Sequence, residues 1–248
     1  MSSRICIVTG AGRGIGRACA VALAQHDWTV VLVGRGRAPL EETAELAGGA
    51  EHALPVEADI GRPDDVQALF ATVRERYGRL DLLFNNVAGT MAYTPFSDVS
   101  YEDWTRVIHT TVTGTFLCSQ QAFRMMKAQS PRGGRIINNG APSAHVPRPD
   151  SAAFTSAKHA VAGLTRSLSL DGRPYDIACG QIDIGNVTPP DGQPQPAVRQ
   201  ADRTVRVEPT MDVRHICDAV VLMAGMPLDA NVQYITVMPP KMPLIGRG

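Results

Sequence analysis

The sequence predicts an α/β fold, a doubly wound parallel sheet of about seven strands in a single domain spanning 1–248. Three observations carry this reading. Short apolar runs alternate with longer helical patterns along all 248 residues. No internal repeat or linker divides the chain. A glycine-rich loop joins the first apolar run to the first helical pattern.

The elements follow in order. Arg4–Thr9 reads as a strand, Ile15–Ala24 as a helix and Thr29–Val33 as a second strand. Pro39–Ala47 is predicted helical, with Pro39 near its first turn. Ala53–Val56 is a weak third strand. Pro63–Tyr77 is a helix with Val66, Leu69, Val73 and Tyr77 on one face. Leu80–Phe84 is the fourth strand. Tyr101–Gln129 reads as one long helix, although its middle, His109–Thr115, is poor in helix formers and needs tertiary support. Arg135–Asn138 is the fifth strand. Ser151–Leu170 is a helix with an apolar stripe of Phe154, Ala157, Val161, Leu164 and Leu168. Asp176–Ile184, Val213–Ala224 and Val232–Val237 complete the pattern as strand, helix and strand. Gly185–Pro209 is rich in Pro, Gln and Gly without periodicity, and a loop this long in a compact domain is usually functional or disordered.

Composition narrows the function. Lys and Arg number 24, balanced by 24 Asp and Glu, which argues against a nucleic-acid partner recognised through a global basic field. Only Lys127, Lys158 and Lys241 are lysines. The five cysteines form no CxxC pair, so disulfides and a metal site are not expected and a reducing cytoplasm is. The N-terminus lacks a signal-peptide pattern, and no apolar stretch is long enough to span a membrane.

Thr9-Gly10-Ala11-Gly12-Arg13-Gly14-Ile15-Gly16 sits between a strand and a helix, where backbone can approach a pyrophosphate at the helix N-terminus. This is the Rossmann-type context that turns a weak glycine motif into a strong one. Its TGxxxGxG spacing resembles the short-chain dehydrogenase/reductase family, and the resemblance runs over nearly the whole chain. It implies cofactor contacts at Gly10, Arg13, Gly14, Ile15 and Gly16. It also implies adenine contacts at Asp59 and Ile60, and a contact at Asn86 in Asn85-Asn86-Val87-Ala88-Gly89, where the family usually reads NNAG. Val87 is there either an insertion or, as we prefer, part of a replacement. Ile184 and Gly185 stand where the family's Pro-Gly flanks the nicotinamide. Residues 188–211 resemble the family's substrate lid. The resemblance also implies a homodimer or homotetramer built through the long helices.

An NAD site places an acidic residue at the end of the second strand. Here Gly34 stands there, followed by Arg35, Gly36 and Arg37, with Arg13 in the glycine loop. Guanidiniums beside an absent carboxylate suit a 2′-phosphate, so NADP(H) is the expected cofactor.

The family's catalytic pattern is Tyr-x-x-x-Lys with a Ser and an Asn. The corresponding stretch reads Phe154-Thr155-Ser156-Ala157-Lys158, which keeps the lysine and loses the phenol. The serine position is Ala141, with Ser143 two residues on, and the asparagine position is Thr111. Candidate catalytic residues are therefore Lys158, Ser143, Phe154 and Thr111, with Lys158 also holding the nicotinamide ribose.

Losing a general acid typically costs about 10²–10⁴ in rate. Losing an oxyanion donor costs roughly another 10²–10³. At about 1.4 kcal/mol per decade the two approach 5–10 kcal/mol, too much for an ordinary carbonyl reductase. An iminium accepts hydride without a proton. The expected function is an NADPH-dependent reductase of a small molecule whose acceptor is already activated, such as an iminium formed from a hemiaminal. Two alternatives stay open. One is a non-catalytic NADP-binding protein with a regulatory or assembly role. The other is a carbonyl reductase with Ser143, His145 or a substrate group as the acid.

Overall fold

The structure is a computed structural model, and it describes residues 4–188 and 197–244. Its strands are β1 Arg4–Thr9, β2 Trp28–Gly34, β3 Ala53–Glu57, β4 Leu82–Asn85, β5 Gly134–Gly140, β6 Ile177–Ile184, β7 Val198–Arg199, β8 Val205–Arg206 and β9 Tyr234–Val237. Its α-helices are α1 Gly14–Ala24, α2 Arg37–Leu46, α3 Pro63–Tyr77, α4 Tyr101–Ile108, α5 Gly114–Ala128, α6 Ala152–Asp171 and α7 Arg214–Gly225. Seven strands make one parallel sheet in the order β3-β2-β1-β4-β5-β6-β9, as the strand–helix alternation predicts.

The strand runs are apolar on both faces because helices cover both. Along β1, Cys6 and Val8 pack into one core with Cys19 and Leu23 of α1 and Val220 of α7. Ile5 and Ile7 point the other way, into a second core with Leu69 and Val73 of α3 and Met126 of α5. Successive residues of one strand thus feed opposite cores, as the period of two requires.

Local chemistry sets the helix ends. Pro63 occupies the first turn of α3 beside Asp64 and Asp65, while Arg74 and Arg76 sit in its last turn, complementing the helix dipole. Ser100 caps α4 by accepting the Asp103 N–H at 3.0 Å.

Two sequence expectations need correction. The long helix 101–129 is not one α-helix. His109–Thr113 forms a π-helical turn between α4 and α5, closed by the Gly114 N–H on the His109 carbonyl. This is the stretch that lacks helix formers, and a contact described below holds it. The segment 185–209 is not wholly irregular either, since β7 and β8 pair as a short antiparallel hairpin. Residues 189–196 of the expected lid lie outside the described residues.

The order of the sheet reverses between β1 and β4, which both pair with each other and run on to opposite edges. A doubly wound sheet binds its ligand in the crevice at the carboxyl ends of the strands at such a switch point.

Candidate active site

The crevice begins at the loop after β1. Gly10 has φ +68° and Gly14 φ +56°, left-handed values that suit glycine. At Gly16 an added Cβ would lie 2.2 Å from the Gly10 carbonyl oxygen and 2.6 Å from Asn86 Nδ2, so only glycine lets α1 approach this closely. Arg13 occupies the N-cap of α1 with no side-chain cap, and no acid lies in the first turn. The helix thus leaves amide donors and positive dipole for an anion, which fits the pyrophosphate of a dinucleotide. Ile15, in the first turn, packs against the core that α1 shares with α7. Arg17 ties the loop down, donating to the Gly12 carbonyl and to Thr43 while pairing with Glu42.

Asn86 joins this loop to β4. Its Nδ2 donates to the Thr9 carbonyl at 2.9 Å, and its backbone N–H and that of Val87 both donate to Thr9 Oγ1. Asn139 Nδ2 donates to both oxygens of Asn86.

At the end of β2 no carboxylate occupies the position of Gly34. Arg13 and Arg35 are exposed and form no ion pair among the described residues, whereas Arg37 is engaged by Glu41 at 2.7 Å. Arg35 borders a cavity of about 580 Å³ together with Asp59 and Arg62. The Asp59 backbone N–H is held by Asp65, and its own carboxylate accepts the Gly61 N–H. Ile60 is buried, against the turn where α5 begins.

A second cavity, of about 270 Å³, lies beyond the ends of β5 and β6. Ala141, Ser143, Phe154, Ile184 and Gly185 line it, so the structure brings together the residues that the sequence singled out there. Arg148, Asn186 and Tyr93 line it too and were not anticipated.

Lys158 sits one helical turn beyond Phe154, buried, with Nζ 5.6 Å from the phenyl centroid and donating to the Asn139 carbonyl at 2.7 Å. Burial pushes its pKa down to about 8, opposed by the charge of Asp183. Thr111 departs from expectation. It does not line the cavity; its hydroxyl accepts the Gly89 N–H at 2.9 Å from inside the π-turn, which anchors the segment after β4. Its placement is that of a brace.

Sequence reasoning also missed a buried polar chain. Asn85 donates to Asn138, Asn138 to Thr165, Thr165 to Gln181 and Gln181 to Asp183, whose other oxygen meets His145 Nε2 at 2.8 Å. His145 is thus an exposed ring anchored on a buried carboxylate rather than a freely solvated one. The available signal was the set of amides and acid inside β5 and β6, where an apolar run is the norm.

Among the described residues no group of three or more His, Cys, Asp or Glu can hold a metal, and no helix is long and apolar enough to cross a membrane.

Fold and crevice together define an oxidoreductase built on a dinucleotide-binding α/β sheet. Residues 4–197 match the short chain dehydrogenase family, and the chain belongs to it. It is 36% identical over 191 residues to the uncharacterized oxidoreductase YohF of Escherichia coli (strain K12), covering 76% of this chain and 74% of that protein. It is 35% identical over 190 residues to a 3beta-hydroxysteroid dehydrogenase of Mediterraneibacter gnavus, covering 75% and 67%. The crystal structure of acetoin dehydrogenase from Enterobacter cloacae superposes with a TM-score of 0.81 at 28% identity, covering 95% of this chain and 94% of that one. Members of the family bind nicotinamide cofactors.

Proposed function

We propose that this oxidoreductase is an NADPH-dependent reductase of a small molecule whose acceptor carbon is already activated, such as an iminium formed from a hemiaminal. The cofactor, when bound, supplies the hydride. The observation that carries the reading is the wall of the smaller cavity, where Phe154 and Ala141 offer no O–H and Lys158 stands buried behind them. At the positions where the family resemblance implies Tyr and Ser, the chain presents a phenyl ring and a methyl group.

Each residue then has a role. The glycine loop and the start of α1 receive the pyrophosphate. Arg13 and Arg35, exposed and unpaired, receive the 2′-phosphate. Asp59, Ile60 and Asn86 border the adenosine side. Ile184 and Gly185 bound the nicotinamide side, and Lys158 holds the ribose hydroxyls. The Phe154 ring presents an apolar wall whose face attracts a cation, which suits a positively charged acceptor. Residues 197–211 of the expected lid carry Glu208, which pairs with Arg148 at this cavity.

A second reading keeps a carbonyl substrate and uses Ser143 as the proton donor, because Ser143 lines the same cavity. One assay separates the two. NADPH oxidation is followed with a cyclic iminium and with simple ketones, using 4-deuterated cofactor. The expected result is deuterium on the carbon next to nitrogen and negligible ketone turnover, both unaffected by Phe154→Tyr. Rapid ketone reduction that Ser143→Ala abolishes would instead establish the second reading.

A further inference from the structure

We propose that the substrate cavity is built for a molecule bearing a carboxylate, and that Arg148 is the residue that receives it. This rests on the reading of that cavity as the substrate site. Arg148 lines the cavity, and its side chain is only 9% exposed. It pairs with Glu208, whose side chain is 5% exposed, through Nη2 to Oε2 at 2.5 Å. The same nitrogen donates to Asn186 Oδ1 at 3.2 Å.

Glu208 is itself fully engaged by its surroundings. Its Oε2 accepts from Asn186 Nδ2 at 2.9 Å and its Oε1 from Gln200 Nε2 at 3.1 Å. Glu208 therefore orients the guanidinium through one corner. Nε and Nη1, which carry three of the five guanidinium N–H groups, have no partner among the described residues. They are not sealed off, since the buried side-chain N and O atoms without partners among those residues are Asn85 Oδ1 and Arg135 Nε alone. The nearby carboxylate of Asp150 faces Arg199 at 3.3 Å instead.

Arg135 shows the contrast. It is more deeply buried, and its terminal nitrogens close on Asn231 and on the carbonyls of Met226, Pro227 and Ala230. That arginine is structural. Arg148 holds donors in reserve on the wall of a cavity, the arrangement that recognises carboxylates. A second anion beside Arg148 adds negative charge, and a positive nitrogen on the same molecule offsets it. The class that satisfies both ends is an imino acid, cyclic or open, reduced to an amino acid.

Calorimetric titration of the full chain with NADPH present tests this, using pipecolic acid, its primary amide and piperidine as product-like probes. The acid is expected to bind at least about tenfold tighter than the amide, a difference of about 1.4 kcal/mol. That preference is expected to vanish in Arg148→Gln/Glu208→Gln, which removes both charges together and leaves no buried ion unpaired. Equal affinity for acid and amide, no measurable acid binding, or a preference that survives in the double variant would each overturn the proposal. If the preference appears but no imine is reduced, the carboxylate site stands and the proposed reaction falls.

Discussion

Lys158 carries a cost that its position explains. Its pKa of about 8 in the folded chain lies below the ordinary 10.5, because burial disfavours the ammonium. Between those values the unfolded chain holds a proton that the folded chain has released, so stability rises with pH across that window. Below pH 8 the full penalty applies, roughly 3 kcal/mol at about 1.36 kcal/mol per unit. Lys158→Met cannot show this rise. Urea unfolding from pH 7.5 to 10.5 is expected to show the unmodified protein gaining about that amount relative to the variant, while the variant binds cofactor more weakly at every pH. A residue retained at such a cost suggests a functional reason. Arg35 gives the opposite case, an exposed side chain with nothing to hold it. Arg35→Asp is expected to leave stability within about 0.5 kcal/mol, as surface changes do. It should erode or invert a preference for NADPH over NADH, read by titration with both cofactors.

At the level of elements, most of the sheet and helices were legible because each carries its own periodic or apolar signal. Boundaries of α3 and β1 match the sequence reading because Pro63, Gly78 and the RICIVT run are local features. The π-turn was not legible, although its poverty in helix formers was. Its backbone closes on the His109 carbonyl, and Thr111 within it accepts the Gly89 N–H, a partner distant in sequence. Thr111→Val removes that acceptor inside the protein and is expected to lower stability by about 1–3 kcal/mol. If Thr111 is a brace, single-turnover rates stay unchanged at temperatures where the variant is folded, which thermal unfolding paired with stopped-flow absorbance checks. The buried polar chain escaped the sequence for a related reason. Asn138, Gln181 and Asp183 each look like an interruption of a strand, and only the sheet order reveals that Asn138 of β5 stands directly opposite Gln181 of β6.

For the whole molecule, large apolar side chains lie exposed at several places, including Leu46, Leu170, Leu222 and Leu228. Phe96, Tyr101, Trp104 and Phe116 all lie exposed on or just before α4 and on α5. Exposed apolar side chains on one helical segment are the kind of feature that association uses. We expect a homodimer or homotetramer formed through these helices, with Phe116→Arg shifting it to smaller species in light scattering at micromolar concentration. A variant of unchanged mass would place the contact elsewhere. The expected lid was legible only as a long stretch without period. Its anchoring by Glu208 to Arg148 and Asn186 depends on residues some 60 and 22 positions away, which no local pattern reports.

The amides of β4, β5 and β6 have a further consequence. Asn85 stands opposite Asn138, and Asn138 opposite Gln181, so the three form one rung straight across three parallel strands. Parallel strands of apolar residues have little to stop them sliding past one another, since one Val–Ile pairing resembles the next. A rung of amides does stop them, because any slip strands polar groups against aliphatic neighbours. The rung sits one to three residues before Asn86, Ala141 and Ile184. It acts as a common datum from which the three strands are measured off, so that the walls of the crevice emerge from the sheet level with one another.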